Sequence, residues 1–127
     1  MTQEQKELLL KDLCARLPYE VKVLCLRDFN HDWYNLEMVD IGDNEVYVTT
    51  YEPYANRYVK IEEVKPYLFP LSSMTEKQLL ELSSISFENS IDSSIKTLNW
   101  CYKNHLDINN LIPMGLANDA TGLNIYE

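Results

Sequence analysis

A hairpin pattern near the middle of the chain decides the fold. Residues 34–51 have the sequence YNLEMVDIGDNEVYVTTY, in which two runs rich in β-branched and aromatic residues flank the turn sequence GDN at 42–44. Glycine, aspartate and asparagine tolerate the positive φ angles that short hairpin turns need. The pattern therefore predicts two antiparallel strands, Tyr34–Ile41 and Glu45–Tyr51.

Strand-like runs continue on both sides of this hairpin. The run VKVLCL at 21–26 begins with alternating polarity, and RYVKI at 57–61 is a short β-rich run. In EEVKPYLF at 62–69, one turn is followed by backbone that the proline keeps extended. Together these runs predict a β unit over 19–70, either a small SH3-like barrel or an open antiparallel sheet of three to five strands. Alternation in the hairpin places Val46 and Val48 on its inner face.

An amphipathic helix is predicted before the β unit. Thr2 and Gln5 have capping-box spacing, and leucines recur at three- and four-residue intervals as far as Leu17. Pro18 ends this helix, because the residue before a proline is pushed out of helical geometry.

The second half of the chain is predicted to be helical. The block VKPYLFPLSSMT at 64–75 forms a rigid crossover from sheet to helices, because its prolines restrict the backbone. Thr75 and Gln78 repeat the capping-box spacing, and an apolar stripe from Ile91 to Tyr102 marks the next helix. The apolar face of the first of these helices is expected to comprise Leu79, Leu80, Leu82 and Ile85.

These elements predict one α+β domain over residues 1–127. An N-terminal helix (1–18) precedes the β unit (19–70), a helical part follows (71–112), and 113–127 forms an irregular tail. A chain of 127 residues suits a single domain.

The charge of the chain disfavours polyanionic partners. The formal net charge is −9, and between positions 28 and 63 the acids far outnumber the bases Arg57 and Lys60. Such a surface repels nucleic acid and anionic membranes at long range, so direct binding to either is not expected. The acids of this stretch are Asp28, Asp32, Glu37, Asp40, Asp43, Glu45, Glu52, Glu62 and Glu63.

The sequence predicts a cytoplasmic protein with reduced thiols. No apolar run approaches the roughly 20 residues that span a bilayer, and the first residues, MTQEQKELLLKD, lack the pattern of a signal peptide. The three cysteines are odd in number and widely spaced, which favours free thiols over a disulfide framework.

Catalytic and metal-binding patterns are sparse. His31 lies near Asp28 and Asp32, where it could act as a base or metal ligand. Cys101 and His105 share a helix face and would supply half of a zinc site. No GxSxG, SxxK or glycine-rich phosphate-binding motif is present. We therefore predict no enzyme activity, no cofactor and no metal.

Tyrosines are concentrated in the β unit and interleaved with acids. Outward-facing tyrosines on a hairpin provide rigid amphipathic contact area, which is common at protein interfaces. In the alternative interpretation, the same side chains cover the helices of their own domain. The predicted partner surface comprises Tyr47, Tyr51, Tyr54, Tyr58, Asp43, Glu45 and Glu52.

Three blocks of the sequence carry a resemblance. The blocks MTQEQKELLLKDLCARLPYEVKV, VKPYLFPLSSMT and LIPMGLA resemble short uncharacterised proteins encoded by gut Bacteroidetes and their phages or prophages. The resemblance implies a small soluble protein of phage or mobile-element origin that acts inside a bacterium. It implies no activity, cofactor or site residue.

The preferred functional hypothesis is a non-enzymatic accessory protein that acts by protein–protein contact, with itself or with a basic partner. An alternative is an acidic mimic of nucleic acid that inhibits a host defence or replication protein. A third hypothesis is a small hydrolase that uses His31 with Asp28 or Asp32.

Overall fold

The structure is a computed structural model that describes residues 1–27, 31–50, 56–86 and 90–126. Its α+β architecture has an N-terminal helix, a sheet and further helices. Within the described residues, the helices and strands are α1 (Gln3–Arg16), β1 (Lys22–Cys25), β2 (Tyr34–Asp40), β3 (Glu45–Thr49), β4 (Arg57–Lys60), β5 (Val64–Leu68), α2 (Glu76–Ile85), α3 (Ile91–Lys103) and β6 (Asn118–Asp119).

The sheet is open. The described strands pair in the order β4-β3-β2-β1-β5-β6, so that β4 and β6 lie at its two edges. All neighbours are antiparallel except β5 and β6, which are parallel. Of the two predicted architectures, the structure has the open sheet. Its sixth strand comes from the stretch 113–127, which was expected to be irregular.

The central hairpin follows its predicted pattern. Strands β2 and β3 pair from Asp40 opposite Glu45 to Asn35 opposite Thr49. Asn44 has a φ of 54°, as the tight turn requires. Val46 and Val48 are fully buried, which confirms the predicted inner face.

Helix α1 covers the inner face of the sheet. The predicted capping box is present: the Gln5 amide donates to Thr2 Oγ1 over 3.1 Å, and the Thr2 amide donates to Gln5 Oε1 over 3.0 Å. The prediction that Pro18 pushes Leu17 out of helical geometry is wrong, because Leu17 has a φ of −51° and a ψ of −44°. The chain continues into a 3₁₀ turn over Leu17–Tyr19, whose first turn accepts the proline, and Glu20 ends it with a φ of 56°. The leucines that α1 contributes to the core are Leu9, Leu10 and Leu13.

Strand β5 contains the first proline of the block 64–75, and its pairing explains why a proline is tolerated in a strand. A 3₁₀ turn over Ile61–Glu63 leads into the strand, which agrees with the predicted turn and extended segment. Pro66 lies opposite Val23 of β1, and pairing with β6 begins only at Tyr67. The Leu26 amide donates to the Glu63 carbonyl, so alternation along the ladder turns the Pro66 nitrogen away from β1. A proline, which has no amide hydrogen, is tolerated there because no neighbouring strand needs a hydrogen bond from this position.

Helices α2 and α3 bury few residues, and other elements cover the inner face of the sheet. The predicted capping box at Thr75 and Gln78 is present, but no residue of α2 is buried. Helix α3 buries only Ser93 and Cys101. The inner face is already covered by α1 and by three apolar residues that precede β6, namely Leu111, Leu116 and Ala117.

The C-terminal segment is bound to the sheet by hydrogen bonds. The Ala120 amide donates to the Leu68 carbonyl over 2.8 Å. The Tyr126 hydroxyl donates to the Tyr67 carbonyl over 2.7 Å and accepts from the Lys22 amide over 2.9 Å. These contacts join the last described residues to β1 and β5.

Candidate functional site

Two of the predicted surface tyrosines lie side by side on the outer face of the sheet. Met38, Tyr47 and Tyr58 are successive partners across β2, β3 and β4. A register shift between Leu36 and Met38 brings the methionine onto this face. The rings of Tyr47 and Tyr58 are 5.0 Å apart and tilted by 50°. Tyr58 remains 56% exposed and Met38 42% exposed, so their surface faces solvent. We call these three residues the sheet surface.

The acids predicted beside these tyrosines lie around the same hairpin. Glu45 is opposite Lys60 in the register of β3 and β4, and Asp43 is exposed in the turn. The backbone amide of Asp43 donates to Asp40 Oδ1 over 3.2 Å. Three members of the predicted surface lie outside the described residues, namely Tyr51, Glu52 and Tyr54.

Other acids of the region 28–63 have partners on different elements. Glu62 forms an ion pair of 2.7 Å with Lys6, which lowers the carboxylate pKa, mainly through the hydrogen bond from Lys6. Glu63 pairs with Arg27 over 3.0 Å, and Glu37 accepts a hydrogen bond from Thr49. A nucleic-acid mimic needs carboxylates that are free to meet basic residues of its target. Glu62 and Glu63 are already paired with bases of the same chain, so they present less net negative charge to a basic target.

His31 contacts an aromatic side chain of β2. Its Nδ1 lies 3.3 Å from the Tyr34 hydroxyl, and the two rings are tilted with their centroids 5.3 Å apart. Tyr34 also accepts from Arg57 over 2.8 Å. Asp28 lies outside the described residues, and the backbone carbonyl of Asp32 accepts from Tyr67. These contacts explain how His31 is positioned without assigning it a reaction.

Cys101 and His105 do not share a helix face as predicted, because α3 ends at Lys103 and His105 has a φ of 58°. Burial raises the pKa of the Cys101 thiol, although nearby Arg16 acts in the opposite direction. His105 stacks on Tyr126 with ring centroids 3.7 Å apart, and burial lowers its pKa to about 4. Among the described residues, no group of three or more His, Cys, Asp or Glu side chains could hold a metal ion.

Among the described residues, the two most exposed large apolar side chains lie on α2 and α3. Ile91 is 82% exposed and Leu80 is 72% exposed. On α3, residues 91, 95 and 98 form one stripe at helical spacing. We define the helical surface as Leu79 (48% exposed), Leu80, Ile91, Ile95 (53%) and Leu98 (49%).

Periodicity identified these residues as apolar but did not reveal that they face solvent. An amphipathic stripe indicates which face of a helix is apolar, not whether a partner element from the same chain covers that face. The one available signal was the total number of apolar residues in the sequence. Helix α1 and the segment before β6 already supply enough apolar side chains to cover the inner face of the sheet.

Comparison with known proteins assigns no family or function to this chain. No protein-family model, curated protein or solved structure matches the chain. None of the helices in the described part of the chain is both long enough and apolar enough to span a bilayer.

Proposed function

We propose that this protein acts by binding another protein, without a catalytic reaction of its own. The observation that carries the proposal is the helical surface, where five large aliphatic side chains are between 48% and 82% exposed. Among them, Ile91, Ile95 and Leu98 form one apolar stripe on α3, and contiguous exposed apolar patches commonly mark interaction sites.

The energetic argument rests on burial. Fully burying a leucine or isoleucine side chain stabilises by about 1.5–3 kcal/mol relative to leaving it in water. The fold forgoes this stabilisation at the helical surface, and a partner that covers α2 and α3 would recover part of it. Polar residues such as Glu76, Ser83 and Asn99 are exposed on the same helices and would provide a rim.

The sheet surface is a second contact region within the same proposal. Met38, Tyr47 and Tyr58 combine apolar area with two hydroxyl groups, as interface tyrosines do. The acids Asp43 and Glu45 beside them would favour a partner that is basic at this position.

The contact is proposed to occur in the cytoplasm of a bacterium. Cys14 and Cys101 carry free thiols, and burial raises the pKa of both. Free thiols of this kind suit a reducing compartment. The bacterial setting, and an origin in a phage or mobile element, follow from the sequence resemblance alone.

The test compares matched glutamate variants of the tagged full-length protein in the native host. Ile91→Glu places a charge on the helical surface, and we expect it to abolish recovery of a stoichiometric partner. The substitution is at the first residue of α3, where an acid is compatible with the helix dipole.

Leu123→Glu is the control, since Leu123 is 52% exposed and belongs to neither surface. This variant should retain the partner. Tyr58→Glu measures how much the sheet surface contributes to partner binding. Circular dichroism checks that every variant is folded. Undiminished recovery with Ile91→Glu, or no partner with the wild type, would overturn the proposal.

A further inference from the structure

A groove of about 570 Å³ lies between α2 and α3. Ser84 and Ile85 of α2 line one side, and Lys96, Trp100 and Lys103 of α3 line the other. Clefts that bind ligands have volumes of roughly 300–1,000 Å³, so the groove is large enough to hold one.

Two hydrogen bonds connect the helices that border the groove. Trp100 Nε1 donates to Glu81 Oε2 over 3.3 Å, which fixes the indole against α2. Ser93 Oγ donates to the Ile85 carbonyl over 2.9 Å. Trp100 and Ile85 thus offer an apolar surface between the two helices.

The charge of the groove differs from that of the whole protein. Lys96 and Lys103 are seven residues apart and share one face of α3. Lys96 forms an ion pair of 3.1 Å with Asp92, but the two side chains are 66% and 77% exposed. Exposed ion pairs of this kind contribute little to stability, so a carboxylate of a ligand can compete with Asp92 for Lys96. Lys96, Lys103 and Asp92 are the charged residues that line the groove, so its lining carries a net charge of +1 in a protein whose net charge is −9.

The shape of the groove suits a peptide segment. Its α3 side extends from Asp92 to Lys103, a rise of about 16 Å along the helix. About five residues of extended chain span the same distance.

We propose that the groove binds an extended segment of the partner protein that carries carboxylates beside a large apolar side chain. The apolar side chain contacts Trp100 and Ile85, and the carboxylates pair with Lys96 and Lys103. This inference rests on the proposed function and names the chemistry of a segment that the partner would present.

Trp100 provides the readout. The protein has two tryptophans, so Trp33→Phe leaves Trp100 as the only one. The probe is the peptide acetyl-Glu-Leu-Phe-Glu-amide, titrated while Trp100 fluorescence is recorded. We expect a saturable change, and Lys96→Glu with Lys103→Glu should weaken binding at least tenfold.

The matched control reverses the charge of two exposed lysines outside the groove. Lys11→Glu with Lys60→Glu changes the net charge equally and should leave the affinity within twofold. The basic peptide acetyl-Lys-Leu-Phe-Lys-amide should not bind. Equal binding of the basic peptide, equal weakening by the control pair, or no fluorescence change at millimolar peptide would overturn the inference. Ile91→Glu should still bind the peptide, since Ile91 does not line the groove. A failed peptide titration is therefore distinguishable from a failed co-purification.

Discussion

At the scale of single residues, the buried ion pair between Asp12 and Arg16 connects α1 to the second half of the chain. Both side chains are fully buried, and Arg16 Nε donates to Asp12 Oδ2 over 2.7 Å. Arg16 also donates to the Leu106 carbonyl over 2.8 Å, and its guanidinium lies 4.9 Å from the centre of the Tyr102 ring. Asn109 donates to the other oxygen of Asp12 over 2.7 Å.

Replacing the aspartate should be strongly destabilising. Asp12→Ala leaves the Arg16 charge buried without its carboxylate, and breaking a buried pair in this way costs about 3–5 kcal/mol. The free energy of unfolding in urea measures the loss. The control is Asp92→Ala, which removes the acid of an exposed pair with the same spacing and should cost about 1 kcal/mol or less. Similar losses in the two variants would show that burial of the first pair is not what matters.

At the scale of elements, two helices have the same cap and different surroundings. Thr2 and Thr75 both form capping boxes, yet α1 contributes leucines to the core whereas α2 has no buried residue. A helix without buried contacts can unfold locally while the rest of the domain stays folded. The cap therefore contributes a larger share of the stability of α2 than of α1.

Removing the α2 cap should have a local effect. Thr75→Ala loses the acceptor for the Gln78 amide, which lies 3.2 Å from Thr75 Oγ1, at a cost of about 1 kcal/mol. We expect amide hydrogen exchange to accelerate within α2 by roughly fivefold, as this energy implies, with little change in the global urea midpoint. Thr75→Ser keeps the oxygen and should exchange like the wild type. Unchanged exchange in the alanine variant would contradict this account of α2.

At the scale of the whole molecule, His105 makes stability depend on pH. Burial, followed by the charges of Arg16 and Lys22, lowers the pKa of His105 from 6.5 to about 4. The unfolded chain therefore binds a proton between about pH 6.5 and 4 that the folded protein does not. The contribution of His105 to stability is therefore fully present above this window and is lost as the pH falls through it.

The prediction is a decrease in unfolding free energy from pH 7 to pH 5 that His105→Asn diminishes. Asparagine suits this position because His105 has a φ of 58°. Urea unfolding at pH 7, 6 and 5 measures the slope, and an NMR titration of the wild type locates the histidine midpoint. A midpoint near 6.5 would rule out burial as the source of the dependence.

Local patterns in the sequence determined the elements. Turn residues at 42–44, two capping boxes and the alternation around Val46 and Val48 each depend on neighbours a few positions apart, so their geometry follows from the chain itself. The α+β class and the place of Tyr47 on the outer face of β3 follow from the same short-range rules.

Tertiary structure alone decided which apolar surfaces are covered. The spacing of Asp12 and Arg16 permits an ion pair, but its burial depends on Leu106 and Asn109, which are at least 90 positions away along the chain. Likewise, Leu79 and Leu80 of α2 are exposed, whereas α1 and the segment before β6 fill the inner face. Coverage depends on how much apolar area the distant elements jointly supply, and no local pattern encodes that quantity.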